Sequence, residues 1–226
     1  MADRPPSLLA RLRDEIEERS RRIFPAPPGA PRGAPFRDAR TPVGALVAGR
    51  RVVLVGNASS LRIAPIDTFE VIVRINAGAL HAATHPGLAT RTDILLLSGL
   101  KMAKRLDREM RKVQAPRLTV FMSEANRAYM PDRLRAAMTF YPVEWWHALH
   151  AEIGALPSTG CMGIDLLTRL AAGGEVHLYG FDFWRSPTSY NGRLKIGPHD
   201  PVAEEAFARR RIPAERIHAP PPDTTA

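Results

Sequence analysis

The stretch "RRVVLVGNASSL", residues 50–61, decides how the chain is read. Val52 to Val55 form a short apolar run, and a run of this length bounded by turn residues predicts a strand buried on both faces. The strand ends at Gly56, the only glycine of the stretch, followed at once by Asn57. A dinucleotide fingerprint needs G-x-G-x-x-G here, and a phosphate loop needs G-x-x-x-x-G-K-[ST]. Neither is present. An Asn amide and the hydroxyls of Ser59 and Ser60 are offered where a pyrophosphate site would have glycines.

Further runs of the same kind follow. "FEVIVRIN" (69–76), "TDILLLSG" (92–99), "RLTVFMS" (117–123) and "EVHLYGFDFW" (175–184) each predict a strand. Between them, "LKMAKRLDREMRKV" (100–113), "DRLRAAM" (132–138), "STGCMGIDLLTRLAAGG" (158–174) and "DPVAEEAFARRR" (200–211) predict helices. The last has Asp200 as N-cap and Pro201 at its first position. Strands alternating with helices predict an α/β fold: a Rossmann-like, mainly parallel sheet with helices on both faces. Ligands of such sheets sit at the carboxyl ends of the strands.

N-terminal of this body, residues 7–24 place Leu8, Leu12, Ile16 and Ile23 on one helical face, with Ser7 as N-cap. The expected organisation is an amphipathic helix over 1–24, a Pro/Gly-rich linker over 25–40, a catalytic body over 41–218 and a disordered tail over 219–226. The first residues carry acids and lack an apolar segment with a cleavage site, so no secretory leader is expected. No run of 18 apolar residues occurs in the 226. Cys161 is the lone cysteine, which excludes an internal disulfide. The formal charge of +9 comes from scattered arginines with few interleaved aromatics. That charge attracts anions, but a dedicated nucleic-acid surface clusters its basic groups, so no nucleic acid is expected as partner.

Four segments converge on one site. Asn57 ends the first strand and Asn76 the second, each offering an amide to a phosphate or ribose. Ser158, Thr159 and Gly160 stand where a helix begins, and its free N–H groups and dipole suit an anion. "LYGFDFW" and the loop after it supply Gly180, Asp182 and Tyr190, and His199 precedes the last helix as a base that works near neutral pH. Taken singly, a strand-end Asn is an ordinary turn former, Ser-Thr-Gly a plain cap, and a lone His a structural residue.

In this order, "VGNASSL", "VRINAG", "ATRTDILLL", "PSTGCMGIDLL", "VHLYGFDFW" and His199 with Glu204 resemble the motifs of the sialyltransferases. Residues 52–97 resemble the large sialylmotif of glycosyltransferase family 29, and residues 156–184 the small one. The His-x4-Glu pair resembles the very small motif. The bacterial enzymes of family 42 share the scheme. The resemblance spans about Arg51 to Phe207. It implies a variant of the glycosyltransferase A-type fold, a CMP-sialic acid donor, a glycan acceptor, no cofactor or metal, and inversion at the anomeric carbon. It further implies that Asn57, Ser59, Asn76, Ser158, Thr159, Gly160, Gly180, Asp182 and Glu204 bind substrate. His199 is then the base, and Tyr190 holds the leaving phosphate.

The chain departs from the pattern at several points. Trp184 stands where family 42 has a second tyrosine. The disulfide that joins the large and small motifs in animal family 29 enzymes has no counterpart here, and of their His-Tyr pair only the Tyr is kept. CMP-Kdo or another CMP-sugar suits the same residues, as does a catalytically silent nucleotide-binding relative. A cytoplasmic place at the inner face of a membrane follows from the bacterial resemblance, with the N-terminal helix as a peripheral contact. Trp145, Trp146 and His147 are read either as a lid over the acceptor or as core.

Overall fold

A computed structural model describes residues 36–218, except 60, 62–64, 85–86, 89–90, 110–113, 126, 128–129, 190–191 and 193–196. The expected N-terminal helix, most of the linker, the C-terminal tail and Tyr190 lie outside the described residues.

Seven parallel strands form one sheet: β1 (Arg51–Val55), β2 (Val71–Ile75), β3 (Ile94–Leu97), β4 (Leu118–Phe121), β5 (Thr139–Phe140), β6 (Glu175–Tyr179) and β7 (Ile217–His218). Their spatial order is β5-β4-β3-β2-β1-β6-β7. The chain therefore steps outward from β1 to β5, then returns to lay β6 on the other side of β1. That reversal puts a topological switch point at the carboxyl ends of β1 and β6, the place where open α/β sheets bind ligands.

Helices cover both faces, as a parallel sheet requires. On one side Val52, Leu54, Val71, Val73 and Leu96 pack against α1 (Arg40–Val47), α5 (Val143–Ile153), α6 (Thr159–Leu170) and α7 (Pro201–Arg211). On the other, Leu95, Leu97 and Phe121 meet α2 (Gly78–Thr84), α3 (Leu100–Glu109) and α4 (Asp132–Ala137). The apolar strand runs are legible because nearly every residue of β1, β2 and β3 is buried. The fold is thus Rossmann-like α/β, as the strand-helix alternation predicts.

Capping follows the local chemistry. Ser158 accepts the Cys161 N–H at the start of α6, and Asp200 accepts those of Val202 and Ala203 at the start of α7. Gly154 ends α5 in the left-handed conformation. Packing against the body begins before Thr41: Ala39 is fully buried and its N–H donates to Phe140, whose own N–H donates to Arg37. The Trp145–Trp146 segment is part of α5. Trp145 packs on the main core beneath the guanidinium groups of Arg40 and Arg169. Among the described residues no helix is long and apolar enough to cross a membrane.

Candidate functional site

A cleft of about 230 Å³ opens at the switch point. Three strand ends and two helix starts build it. Gly56, Asn57 and Ala58 follow β1, Ile75 and Asn76 close β2, and Gly180 to Trp184 follow β6. Ser158 to Cys161 begin α6, and His199 and Glu204 flank the start of α7.

Close backbone approach makes the floor. A β-carbon at residue 56 would overlap the Gly180 carbonyl oxygen and lie 2.8 Å from its carbon. Gly180 itself has φ +68, a conformation open to glycine at no steric cost. At residue 160 a β-carbon would come 2.9 Å from the Phe181 ring. The bare backbone of the α6 N-terminus thus lies against an aromatic wall. The Thr159 and Gly160 N–H groups of its first turn have no partner within the helix, that of Cys161 being taken by Ser158, and the helix dipole places partial positive charge there.

The two asparagines are themselves positioned. Asn76 has φ 50, a left-handed conformation that Asn tolerates better than most residues. Its side-chain oxygen accepts the Ser98 N–H at 2.9 Å, and its amide donates to Thr159 Oγ1 at 3.3 Å. It therefore ties the ends of β2 and β3 to the start of α6. Asn57 donates its amide to the Ile75 carbonyl at 3.2 Å. Its oxygen sits where a β-carbon at residue 78 would lie 2.5 Å away, so any side chain there would push the Asn57 amide out of place.

His199 and Glu204 both grip the segment leading into α6. His199 Nδ1 lies 2.8 Å from the Leu156 carbonyl oxygen. A carbonyl only accepts, so Nδ1 carries the hydrogen and Nε2 is left as the proton-accepting nitrogen. The Trp184 ring stacks on the imidazole at 5.6 Å and 29°. Phe183 and Trp184 are held there with φ 51 and 62, two successive side chains in the left-handed region. Backbone outliers of this kind concentrate at functional sites. Glu204 is almost fully buried; it accepts the Ser158 N–H at 2.7 Å and the Ser158 Oγ–H at 2.6 Å. Burial pushes its carboxyl up to about 7, with the Ser158 hydrogen bonds working against the rise and nearby Asp200 adding to it.

The cleft lining unites nine of the residues singled out from the sequence: Asn57, Asn76, Ser158, Thr159, Gly160, Gly180, Asp182, His199 and Glu204. Ser59 is not among the lining residues; it is exposed, and its N–H pairs with the Pro187 carbonyl at 2.9 Å. Phe181 and Thr188 line the cleft without having been singled out, and Trp184 lines it at the place where the family 42 pattern has a tyrosine. The aromatic run "FDFW" was the one local signal for Phe181 and Trp184. Trp145, Trp146 and His147 do not line the cleft, so the lid reading finds no support. No group of three or more His, Cys, Asp or Glu is arranged to hold a metal ion among the described residues.

The switch-point cleft, the parallel sheet and the flanking helices make this an α/β protein with a Rossmann-like glycosyltransferase fold. Among solved structures it is similar to the sialyltransferase CstII of Campylobacter jejuni. A Tyr-to-Phe variant of CstII in complex with CMP matches with a TM-score of 0.50 and 12% identity, over 76% of this chain and 86% of that one. An Asn-to-Ala variant, also in complex with CMP, gives 0.50 and 14% over 76% and 87%. No protein-family profile matches the chain, and no curated protein does. At such identities the likeness is one of fold: the chain has a sialyltransferase-like fold.

Proposed function

We propose that the protein is an inverting, metal-independent glycosyltransferase that moves sialic acid, or a related nonulosonic acid, from a CMP-sugar to a hydroxyl of an acceptor glycan. The observation that carries this reading is the pairing, in one cleft, of a histidine with a fixed tautomer and a helix N-terminus cleared for an anion. His199 Nε2 takes the proton of the acceptor hydroxyl as its oxygen bonds to the anomeric carbon. The bond from that carbon to the phosphate oxygen breaks, and CMP leaves with the electron pair. The reaction passes through an oxocarbenium-like state, so little nucleophilic push is needed. The charge developing on the phosphate meets backbone N–H groups of α6, the Thr159 hydroxyl and the helix dipole. A monophosphate leaving group carries less charge than a diphosphate, which fits stabilisation by these neutral donors.

Asn57 and Asn76 then face the CMP moiety, and Ser158, Thr159 and Gly160 face the phosphate and the sugar carboxylate. Gly180 and Asp182 complete the donor side. Tyr190 is assigned to the leaving phosphate from the sequence resemblance alone.

The experiment is calorimetric titration with CMP, UDP and NAD in EDTA, followed by transfer assays on His199→Ala. The expected result is binding of CMP alone. Base catalysis is worth about 10²–10⁴-fold, so His199→Ala loses transfer by that factor while CMP affinity stays within a few-fold. Failure to bind any cytidine nucleotide overturns the reading.

A further inference from the structure

Glu204 puts a carboxyl group where the donor's negative charge has to go. Both of its oxygens lie on Ser158, the N-cap of α6, and the residue lines the same cleft as the bare first turn of that helix. It is 3% exposed, so water does little to screen it. The ionisable groups around it do not neutralise it. Asp200 on its own helix is acidic, the buried Cys161 thiol on α6 is pushed further from ionisation, and His199 is engaged with the Leu156 carbonyl. An ionised Glu204 would therefore set a second negative charge beside a bound anion, competing with it for the positive end of α6 in a poorly screened cleft.

The hydrogen bonding accommodates either form of the carboxyl. When ionised, Glu204 accepts the Ser158 hydroxyl hydrogen. When protonated, its own O–H donates to Ser158 Oγ, which has lone pairs for both that bond and the Cys161 N–H. The Ser158 N–H is accepted in both states. The cap survives the change of charge because only the hydroxyl rotor turns over.

Resting on the donor site proposed above, we infer that Glu204 is a proton-linked control on donor affinity: binding of the donor's anionic group at the α6 N-terminus draws a proton onto Glu204. By reciprocity, protonated Glu204 tightens donor binding, and donor affinity falls as the carboxyl ionises. The upward displacement of this carboxyl, to about 7, sets the linkage near neutral pH.

The test is calorimetry at pH 7.5 in two buffers of different ionisation enthalpy, with CMP, CMP-sialic acid and neutral cytidine as ligands. CMP is chosen above pH 7 because its phosphate is by then doubly charged. The expected result for the wild-type protein is uptake of about half a proton per anionic ligand, and weakening of affinity by roughly threefold to tenfold between pH 7.5 and 9. Glu204→Gln, which keeps the protonated form's charge, binds with no uptake and without that pH dependence. Linkage with CMP assigns the phosphate as the coupled anion; linkage with CMP-sialic acid alone assigns the sugar carboxylate. Cytidine shows none. Binding of both anionic ligands without proton uptake, or the same uptake in Glu204→Gln, overturns the inference and leaves the donor site standing. No binding of any cytidine ligand overturns both. If Glu204→Gln does not fold, carboxyl NMR titration of the wild-type protein decides: the Glu204 signal must titrate higher with ligand bound, and an unmoved midpoint refutes the linkage.

Discussion

Asn76 gives the sharpest check on how the site is held together, because its backbone and its side chain make separable contributions. The residue sits at φ 50, accepts the Ser98 N–H at 2.9 Å and donates to Thr159 Oγ1 at 3.3 Å. In Asn76→Ala the left-handed backbone costs about 0.5–1 kcal/mol more than it does with Asn, whose short polar side chain eases that conformation. The half-buried Ser98 N–H loses its acceptor, for about 1–2 kcal/mol more. The long bond to Thr159 adds little, so the total is roughly 1.5–3 kcal/mol. Asn76→Gly keeps the backbone relaxed and loses only the side-chain bonds, for about 1–2 kcal/mol. Asn76→Asp keeps the acceptor for Ser98 and forfeits the donor, so it is the mildest of the three in stability. It adds a negative charge beside the α6 N-terminus, and it weakens CMP binding most per unit of stability lost. Urea denaturation gives the order Asp, Gly, Ala in increasing loss, and calorimetry with CMP gives the affinities. Equal stability of the Ala and Gly variants would refute the backbone contribution. Undiminished CMP binding by the Asp variant would refute the placement of an anion near Asn76.

Gly56→Ala forces the backbones at the ends of β1 and β6 apart, because the added carbon overlaps the Gly180 carbonyl. A loss of more than about 3 kcal/mol, or insoluble protein, is expected, whereas Gly49→Ala meets no atom within 4 Å and costs only the strain of its positive φ, about 1 kcal/mol; thermal melts compare them. Stability against pH tests Glu204 in the protein without ligand. Its folded-state carboxyl is raised to about 7 from an ordinary 4.5, so the stability it contributes is present below about pH 4.5 and is lost as pH rises through 7. Glu204→Gln should therefore gain roughly 2–4 kcal/mol relative to wild type between pH 4.5 and 8, and a pH-independent difference would contradict the burial. Asp165 is fully buried, taking the Tyr141 hydroxyl at 2.5 Å and the Arg169 guanidinium at 2.8 Å. Asp165→Ala strands both partners and is expected to cost about 3–5 kcal/mol by denaturation.

The strands were legible because burial on both faces requires runs such as "VVLV" and "ILLL", which little else in a soluble chain produces. The starts of α6 and α7 were legible through their caps, Ser158 and Asp200, since capping is local chemistry. Three helices escaped. α1 has no cap side chain, α2 has none of the strong apolar periodicity that marks a helix, and α5 follows a proline and mixes Trp and His on several faces. Their helicity comes from packing against the sheet more than from pattern. Ser59 was drawn into the site by adjacency to Asn57, but the pairing of its backbone with Pro187 is a contact across the loop after β6 that no neighbouring residue foreshadows.

Sequence alone therefore determined the alternation of strands and helices, the strand-end position of Asn57 and Asn76, and the helix that opens at Ser158. These are short-range properties, carried by residues close enough in the chain to constrain one another. The tertiary structure alone decided what those groups do together. His199 reaches the Leu156 carbonyl across 43 residues, Glu204 reaches Ser158 across 46, and Asn76 reaches Thr159 across 83. Only the return of the chain from β5 to β6, beside β1, brings these ends to one cleft. The same packing withdraws Glu204 from water, and so gives the glutamate of the His-x4-Glu pair a carboxyl that is still partly protonated at neutral pH.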